Sequence, residues 1–241
     1  ISSNNSNGTT LAKVGDVITL TIVSSENIQT PTAVIAGRTD DDAASLTDNT
    51  TGQALYTSTY TMQSGDTEGA VAFTIDYFDL ANNPGTQATA LINDADGSGI
   101  TFDKTAPTFT AVTIASDNSI DDAAAKVGDE ITIELTASEA IKTGADPTIT
   151  INGNTASVTR NNSTSFTATY TMSTTDIPDP ADNIAAIPFS VSNYQDVVGN
   201  AGADVTSTTD GSSVKFDPVA PTLSNVAMVS VNTSNSAYAK E

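Results

Sequence analysis

Residues 126–139 read Lys126-Val127-Gly128-Asp129-Glu130-Ile131-Thr132-Ile133-Glu134-Leu135-Thr136-Ala137-Ser138-Glu139. A Gly-Asp turn opens the stretch, and Ile131, Ile133 and Leu135 then alternate with Thr132 and Glu134. Alternation with a period of two places apolar side chains on one face of a strand and polar ones on the other. The same stretch stands 113 residues earlier, where Lys13-Val14-Gly15-Asp16 leads through an apolar run to Ser25-Glu26. A strand that returns together with its turn marks a repeated unit.

Further landmarks return in the same order. Tyr60-Thr61-Met62 matches Tyr170-Thr171-Met172, and Asp96-Gly97-Ser98 matches Asp210-Gly211-Ser212. Asp103-Lys104-Thr105-Ala106-Pro107 matches Asp217-Pro218-Val219-Ala220-Pro221, 114 residues on. Ala239-Lys240 opens a third copy of the Ala-Lys element. The chain therefore divides into a first repeat over 1–103, a second over 104–217 and the start of a third over 218–241. Ile1 aligns with Ile114, inside a strand, so the sequence reads as a window on a longer array.

Within the second repeat, strands are expected over 108–116, 130–138, 148–151, 165–172, 187–194 and 214–216, with another in 204–209. About seven short strands per repeat, separated by turn signals, predict an all-β chain of tandem immunoglobulin-like sandwiches, joined end to end by short Ala-Pro linkers. Tyr60 and Tyr170 are expected in the cores. Tyr77 and Tyr194 are expected to pack under the loops that follow them. Pro107 and Pro221 fix φ and lack an N–H, which limits bending at the linkers and protects a strand edge.

Composition narrows the function. The 241 residues carry 29 acidic and 8 basic side chains, a net charge of −21. That balance excludes a basic face for nucleic acid and disfavours an anionic membrane surface. Cations are the natural counter-species, although a negative surface also serves solubility alone. There is no Cys and no His, so thiolate metal sites, disulfides and His-based catalysis are absent. No nucleotide-binding glycine motif occurs, and no apolar run approaches a membrane span. The expectation is a protein that is not an enzyme.

The pattern Lys-Val-Gly-Asp-x-Ile-Thr, Ser-Glu, Tyr-Thr-Met, Tyr-x-Asp-x-x-x-Asn and Asp-Gly-Ser…Phe-Asp-x-x-Ala-Pro resembles tandem Ig-like repeats of giant prokaryotic surface proteins, bacterial adhesins and archaeal surface-layer (S-layer) proteins among them. The acidic, Asn/Thr-rich version is most similar to S-layer proteins of ammonia-oxidising archaea. The resemblance implies an extracellular, cell-surface structural module whose partners are copies of itself in a two-dimensional lattice. It also implies that acidic loops favour cations, ammonium included, over anions. A stalk segment of a giant calcium-dependent adhesin is the alternative. A carbohydrate-binding module is a third, disfavoured by the absence of Trp.

A Ca²⁺ site is the sharpest chemical expectation, since Ca²⁺ takes six to eight hard oxygens. In an Ig-like sandwich the loops after the second and sixth strands share one end, where the chain also enters. Asp103, Glu139 and Asp196 should converge there, with Asn200 and Asp146 able to add oxygens. Glu26, Asp76, Asp79 and Asn83 are the analogous residues of the first repeat. Asp103 and Asp217 also suit a turn-capping role before Ala-Pro. The Asn93–Gly97 stretch reads as a tight turn, and Asp40, Asp41 and Asp42 as an exposed loop tip. Sequons for N-glycans stand at Asn4, Asn7, Asn49, Asn161, Asn162 and Asn232.

Overall fold

A computed structural model describes residues 1–38, 45–48, 55–92, 99–176 and 185–229. The acidic residues 40–42, the 93–97 turn, the sequons at Asn49 and Asn232 and the Ala239-Lys240 element lie outside the described residues. The first repeat contributes β1 (Ser2–Ser3), β2 (Leu11–Ala12), β3 (Val17–Val23), β4 (Thr32–Ile35), β5 (Ser45–Asp48), β6 (Leu55–Thr61), β7 (Gly69–Ala70), β8 (Phe73–Asp76) and β9 (Thr101–Phe102). The second contributes β10 (Phe109–Ser116), β11 (Ala124–Ala125), β12 (Glu130–Ala137), β13 (Thr148–Ile151), β14 (Asn154–Thr155), β15 (Ser157–Arg160), β16 (Ser165–Thr171), β17 (Ala185–Ala186), β18 (Phe189–Ser192) and β19 (Lys215–Phe216). Among the described residues a single 3-10 turn spans Thr174–Asp176.

In the second repeat one sheet has the order β10-β12-β16-β15, and β13 pairs with β14 and β18 in another. The last strand, β19, lies parallel to β11 and antiparallel to β17. This is the immunoglobulin-like arrangement. The first repeat reproduces it: β1-β3-β6-β5 in one sheet, β4-β8 in another, and β9 between β2 and β7. Each repeat has its own main core. Ile131, Ile133, Leu135, Ile149, Ile151, Phe166 and Val191 fill the second, and Ile18, Leu20, Ile35, Tyr60, Met62, Phe73 and Phe102 the first. Each such side chain removed from water contributes roughly 1.5–3 kcal/mol before ordering costs.

The recurring landmarks have a physical basis. Gly15 and Gly128 adopt φ of 90° and 97°, a left-handed region open to glycine at little cost. In the first repeat the Gly15 N–H donates to the Met62 carbonyl (2.9 Å) and Met62 N–H to the Asp16 carbonyl (2.9 Å). Gly128, Met172 and Asp129 repeat both bonds at 2.8 and 2.9 Å. The Asp side chain closes each turn by accepting the Lys13 or Lys126 N–H. The Lys-Val-Gly-Asp and Tyr-Thr-Met motifs are thus two halves of one clasp.

Four shorter strands of the second repeat, β11, β14, β15 and β17, were not expected. β15 is an edge strand, Ser-Val-Thr-Arg, with no residue fully buried, so its alternation carries little hydrophobic contrast. The strand expected over 187–194 is confined to Phe189–Ser192, and the segment 204–209 makes a single bridge, Val191 to Val205.

Tyr60 and Tyr170 do more than pack. Each hydroxyl donates to a buried carboxylate six residues on, Asp66 (2.8 Å) and Asp176 (3.0 Å). Burial pushes both carboxyls up, and bonds from the Gln63 or Ser173 N–H, the tyrosine and, for Asp66, Arg38 more than offset it, leaving both below the usual range. A depressed folded value makes this contribution complete at neutral pH and progressively lost in acid.

Tyr77 and Tyr194 lie across glycines of the following loop. A Cβ added at Gly85 or Gly202 would stand 2.1 or 2.0 Å from the tyrosine ring. The Tyr194 hydroxyl also donates to the Ala203 carbonyl (2.7 Å), and its ring meets Phe109 at 4.7 Å. Gly202→Ala is expected to cost about 1–3 kcal/mol by overpacking. Gly99→Ala, where a Cβ meets nothing within 4 Å, should stay within about 0.5 kcal/mol. Urea denaturation of the two variants checks the contrast.

Candidate metal centre

The first repeat ends where β9 pairs with β2, and the Asp103 N–H donates to the Ala12 carbonyl (2.9 Å). The chain then enters β10 through Pro107. Around this crossing stand Asp103, Glu139 and Asp196, one carboxylate oxygen from each lying within 4.8 Å of the others. They come from three separate segments: the linker, the loop after β12 and the loop after β18.

The Asp196 loop is built by its own side chain. Asp196 is fully buried, and its Oδ1 accepts the N–H groups of Val198 (2.9 Å), Gly199 (2.6 Å) and Asn200 (2.8 Å). Asn200 Nδ2 donates to Asp196 Oδ2 (2.8 Å) and to the Asp103 carbonyl (3.1 Å), so it ties the loop to the linker. The Ile141–Asp196 bridge fixes the two loops of the second repeat to each other. Asp103 Oδ1 accepts the Thr105 N–H (2.9 Å), which gives it the turn-capping role as well.

The first repeat grips the same loop from its own end. Asn5 Nδ2 donates to the Val198 carbonyl (3.0 Å), Asn7 Nδ2 to Val197 (3.3 Å) and Lys13 Nζ to Gly199 (3.1 Å). Lys142 Nζ returns a bond to Asn7 Oδ1 (2.5 Å). Gly199 has φ of 103°, and a Cβ there would meet Asn7 Nδ2 at 2.9 Å. A side chain at this position would be strained by the positive φ and would displace the Asn7 amide.

The electrostatics of the cluster are unfavourable by themselves. Burial, then the charges of Asp103, Asp196 and Glu68, push the Glu139 carboxyl up. Asp103 is also pushed up, by burial first and then by Asp196 and Glu68, despite the Thr105 N–H. The three ion pairs found among the described residues, Arg38–Asp66, Lys126–Asp129 and Arg160–Asp146, all lie outside the cluster. Among the described residues no ion pair reaches these three carboxylates, and hard carboxylate oxygens are the donor type that Ca²⁺ takes.

The other expected ligands are placed differently. Asp146 pairs with Arg160, whose guanidinium also donates to the carbonyls of Ile141 and Lys142 and lies 4.8 Å over Phe166. Arg160 thereby braces the loop that carries Glu139. In the first repeat Asp79 and Asn83 reproduce the Asp196–Asn200 pair, with the Asn83 N–H and Nδ2 donating at 2.8 and 2.7 Å. Those bonds hold the Asp79 carboxyl below its usual range. Asp76 accepts from Gln87 instead, and Glu26 is exposed.

Glu68 had no signal in the sequence. It sits just before β7, accepts the Lys104 N–H (3.0 Å) and Thr105 hydroxyl (2.7 Å), and adds a fourth negative group beside Asp103. Only the pairing of β7 with β9 brings it there.

No protein-family model matches the chain, and no curated protein matches it. Solved structures with related folds include the titin I-band fragment I67-I69 (13% identity, TM-score 0.43), covering 86% of this chain. The D00-D0 domain of intimin (14% identity, TM-score 0.29) covers 89% of this chain and 98% of its own. Titin Ig tandem domains A164-A165 align at 10% identity and TM-score 0.27, over 87% of this chain and 92% of theirs. The chain spans 61% of the length of the I67-I69 fragment.

Glu139→Gln removes one repelling charge and keeps the side-chain shape. In chelator at pH 7 the variant should unfold at a higher urea concentration than the parent, by at most about 1 kcal/mol for so partly exposed a group. A raised folded value means the parent gains stability as pH falls through it. The difference should therefore close in mild acid, which denaturation at several pH values checks.

Proposed function

We propose that the chain is a structural repeat module of a cell-surface protein, assembled with copies of itself into an S-layer lattice, and that Ca²⁺ stiffens the joint between its repeats. The observation that carries this reading is the junction: three carboxylates from three segments within 4.8 Å, framed by hydrogen bonds from both repeats. A joint of this kind suits a rod or lattice strut, where the angle between modules matters more than any pocket. Asp103, Glu139 and Asp196 would hold the ion, with Asn200 positioning the Asp196 loop. Bound Ca²⁺ would supply positive charge that cancels the mutual repulsion of these groups.

The net charge of −21 supports a second element. Acidic loops facing the gaps of a lattice would concentrate small cations and repel anions over a Debye length, ~8 Å at physiological salt. Glycans fit the same surface reading. Asn162 is exposed and uses its Oδ1 to accept from Thr164 and Ser165, whereas Asn7 Nδ2 is committed to the joint. Of these two sequons Asn162 is the better acceptor.

Calcium should raise the melting temperature of the chain. Ligand at one hundred times its dissociation constant stabilises by about 2.7 kcal/mol. Asp103→Asn combined with Glu139→Gln should abolish the rise. An unchanged melting curve with and without chelator overturns the cation joint. Electron cryotomography of intact cell envelopes separates the lattice from the adhesin stalk, since only the lattice gives a periodic array.

A further inference from the structure

Copies of this chain have few basic side chains with which to hold one another. The net charge is −21, and seven of the eight basic residues are described. Six of those seven are engaged within the chain. Lys13 donates to the Gly199 carbonyl, Lys104 to the Ser64 and Asp66 carbonyls and Lys142 to Asn7 Oδ1. Arg38, Lys126 and Arg160 pair with Asp66, Asp129 and Asp146. Two copies therefore meet across bridging cations or on surface that carries no charge, because an unpaired carboxylate is costly to bury.

The outward face of the four-stranded sheet of the first repeat is such a surface. The β3–β6 register runs from Val17–Thr61 to Val23–Leu55. It puts Val17, Thr19, Thr21 and Val23 on one side of the sheet together with Leu55, Thr57, Thr59 and Thr61. The residues between them, Ile18, Leu20, Tyr56 and Tyr60 included, are buried on the other side. All eight outward side chains are uncharged, and Val23 and Leu55 stand directly opposite each other. Their outward direction is set by the pairing of β3 with β6 alone.

The second repeat builds the same face from different residues. Its β12–β16 register runs from Glu130–Thr171 to Thr136–Ser165. Glu130, Thr132, Glu134 and Thr136 thus stand where β3 has Val17, Thr19, Thr21 and Val23, and Ser165 stands for Leu55. Thr167, Thr169 and Thr171 repeat the threonines of β6. Glu130 and Glu134 are both exposed. The fold therefore accepts Glu at the positions of Val17 and Thr21. What sets the first-repeat face apart is the loss of both charges and the gain of three apolar side chains, Val17, Val23 and Leu55.

We propose that this face of the first repeat packs against the same face of a second copy, the two sheets stacked about a two-fold axis. Charge selects the occupant. Met by itself, the face brings together only threonines, valines and leucine. Met by the second-repeat face, it would desolvate Glu130 and Glu134 with no basic partner to receive them. A basic protein of another kind would be drawn to the acidic loops and not to this neutral sheet.

The size of the face sets the strength of the contact. Four strands about 4.8 Å apart, with β3 and β6 seven residues long at about 3.3 Å per residue, give a patch of roughly 20 by 23 Å. Stacking two such patches buries about 900 Å², below the roughly 1,200–2,000 Å² of stable interfaces. A single contact is weak and reversible, and it gains strength where many copies are held at once.

This inference rests on the reading of the chain as a self-associating repeat module, and names a surface it uses. The test is sedimentation velocity of the full 241-residue chain over a range of concentrations, in chelator at low and high NaCl. The expected result is a monomer–dimer equilibrium that strengthens with salt, because salt screens the repulsion between two acidic chains. Thr21→Glu copies the residue that the second repeat carries at position 134, so the fold tolerates it, yet it should weaken dimerisation at least about tenfold. Thr59→Glu should do the same from β6, and Glu134→Gln should leave the equilibrium unchanged. A chain that stays monomeric in chelator at both salt concentrations overturns the proposal, as does a dimer that persists in both Thr21→Glu and Thr59→Glu. Association that needs calcium and ignores these variants overturns the face and leaves the lattice reading standing. A chain that fails to associate with or without calcium overturns both.

Discussion

The first strand of the second repeat, β10, is the constraint on which the rest of the structure depends. It closes the β10-β12-β16-β15 sheet, covers the core with Phe109, Val112 and Ile114, and begins directly after the linker. Because the strand before the linker, β9, is itself tied to β2, the few residues from Asp103 to Pro107 are anchored at both ends. A short, doubly anchored linker fixes how closely two sandwiches approach. That closeness allows Asn5, Asn7 and Lys13 to reach carbonyls of the 197–199 loop.

Proximity has an electrostatic cost. Folding brings Asp103, Glu139, Asp196 and Glu68 into one partly desolvated region, and two of them are pushed toward protonation as a result. The Asp196 carboxylate accepts four hydrogen bonds within its own loop. Glu139 has no comparable support, which makes it the most sensitive reporter of whether a cation belongs at the joint. Buried acids elsewhere are treated differently. Asp66 and Asp176 sit under tyrosine hydroxyls and backbone N–H groups, which keep them charged and make them structural.

The fold and part of the site were legible in the sequence for one reason: the repeat. Two copies of Lys-Val-Gly-Asp, Ser-Glu, Tyr-Thr-Met and Asp-x-x-Ala-Pro align the chain on itself, and alternation in 130–138 and 165–172 identifies the paired central strands. Asp103, Glu139 and Asp196 could be placed together because the sandwich topology puts their loops at one end. Glu68 could not, because its position depends on β7 reaching β9. Nor could the partner of Asp146, since Arg160 lies on an edge strand with weak alternation.

The sequence by itself determined that this is a tandem β protein and that its chemistry is acidic and free of thiol and imidazole. Those properties follow from local pattern and composition, which need no knowledge of distance. Only the tertiary structure decided which acids meet and which are hydrogen-bonded within their own loops. These depend on separations between residues up to 193 positions apart in the chain, such as Asn5 and Val198, and only the folded backbone sets them.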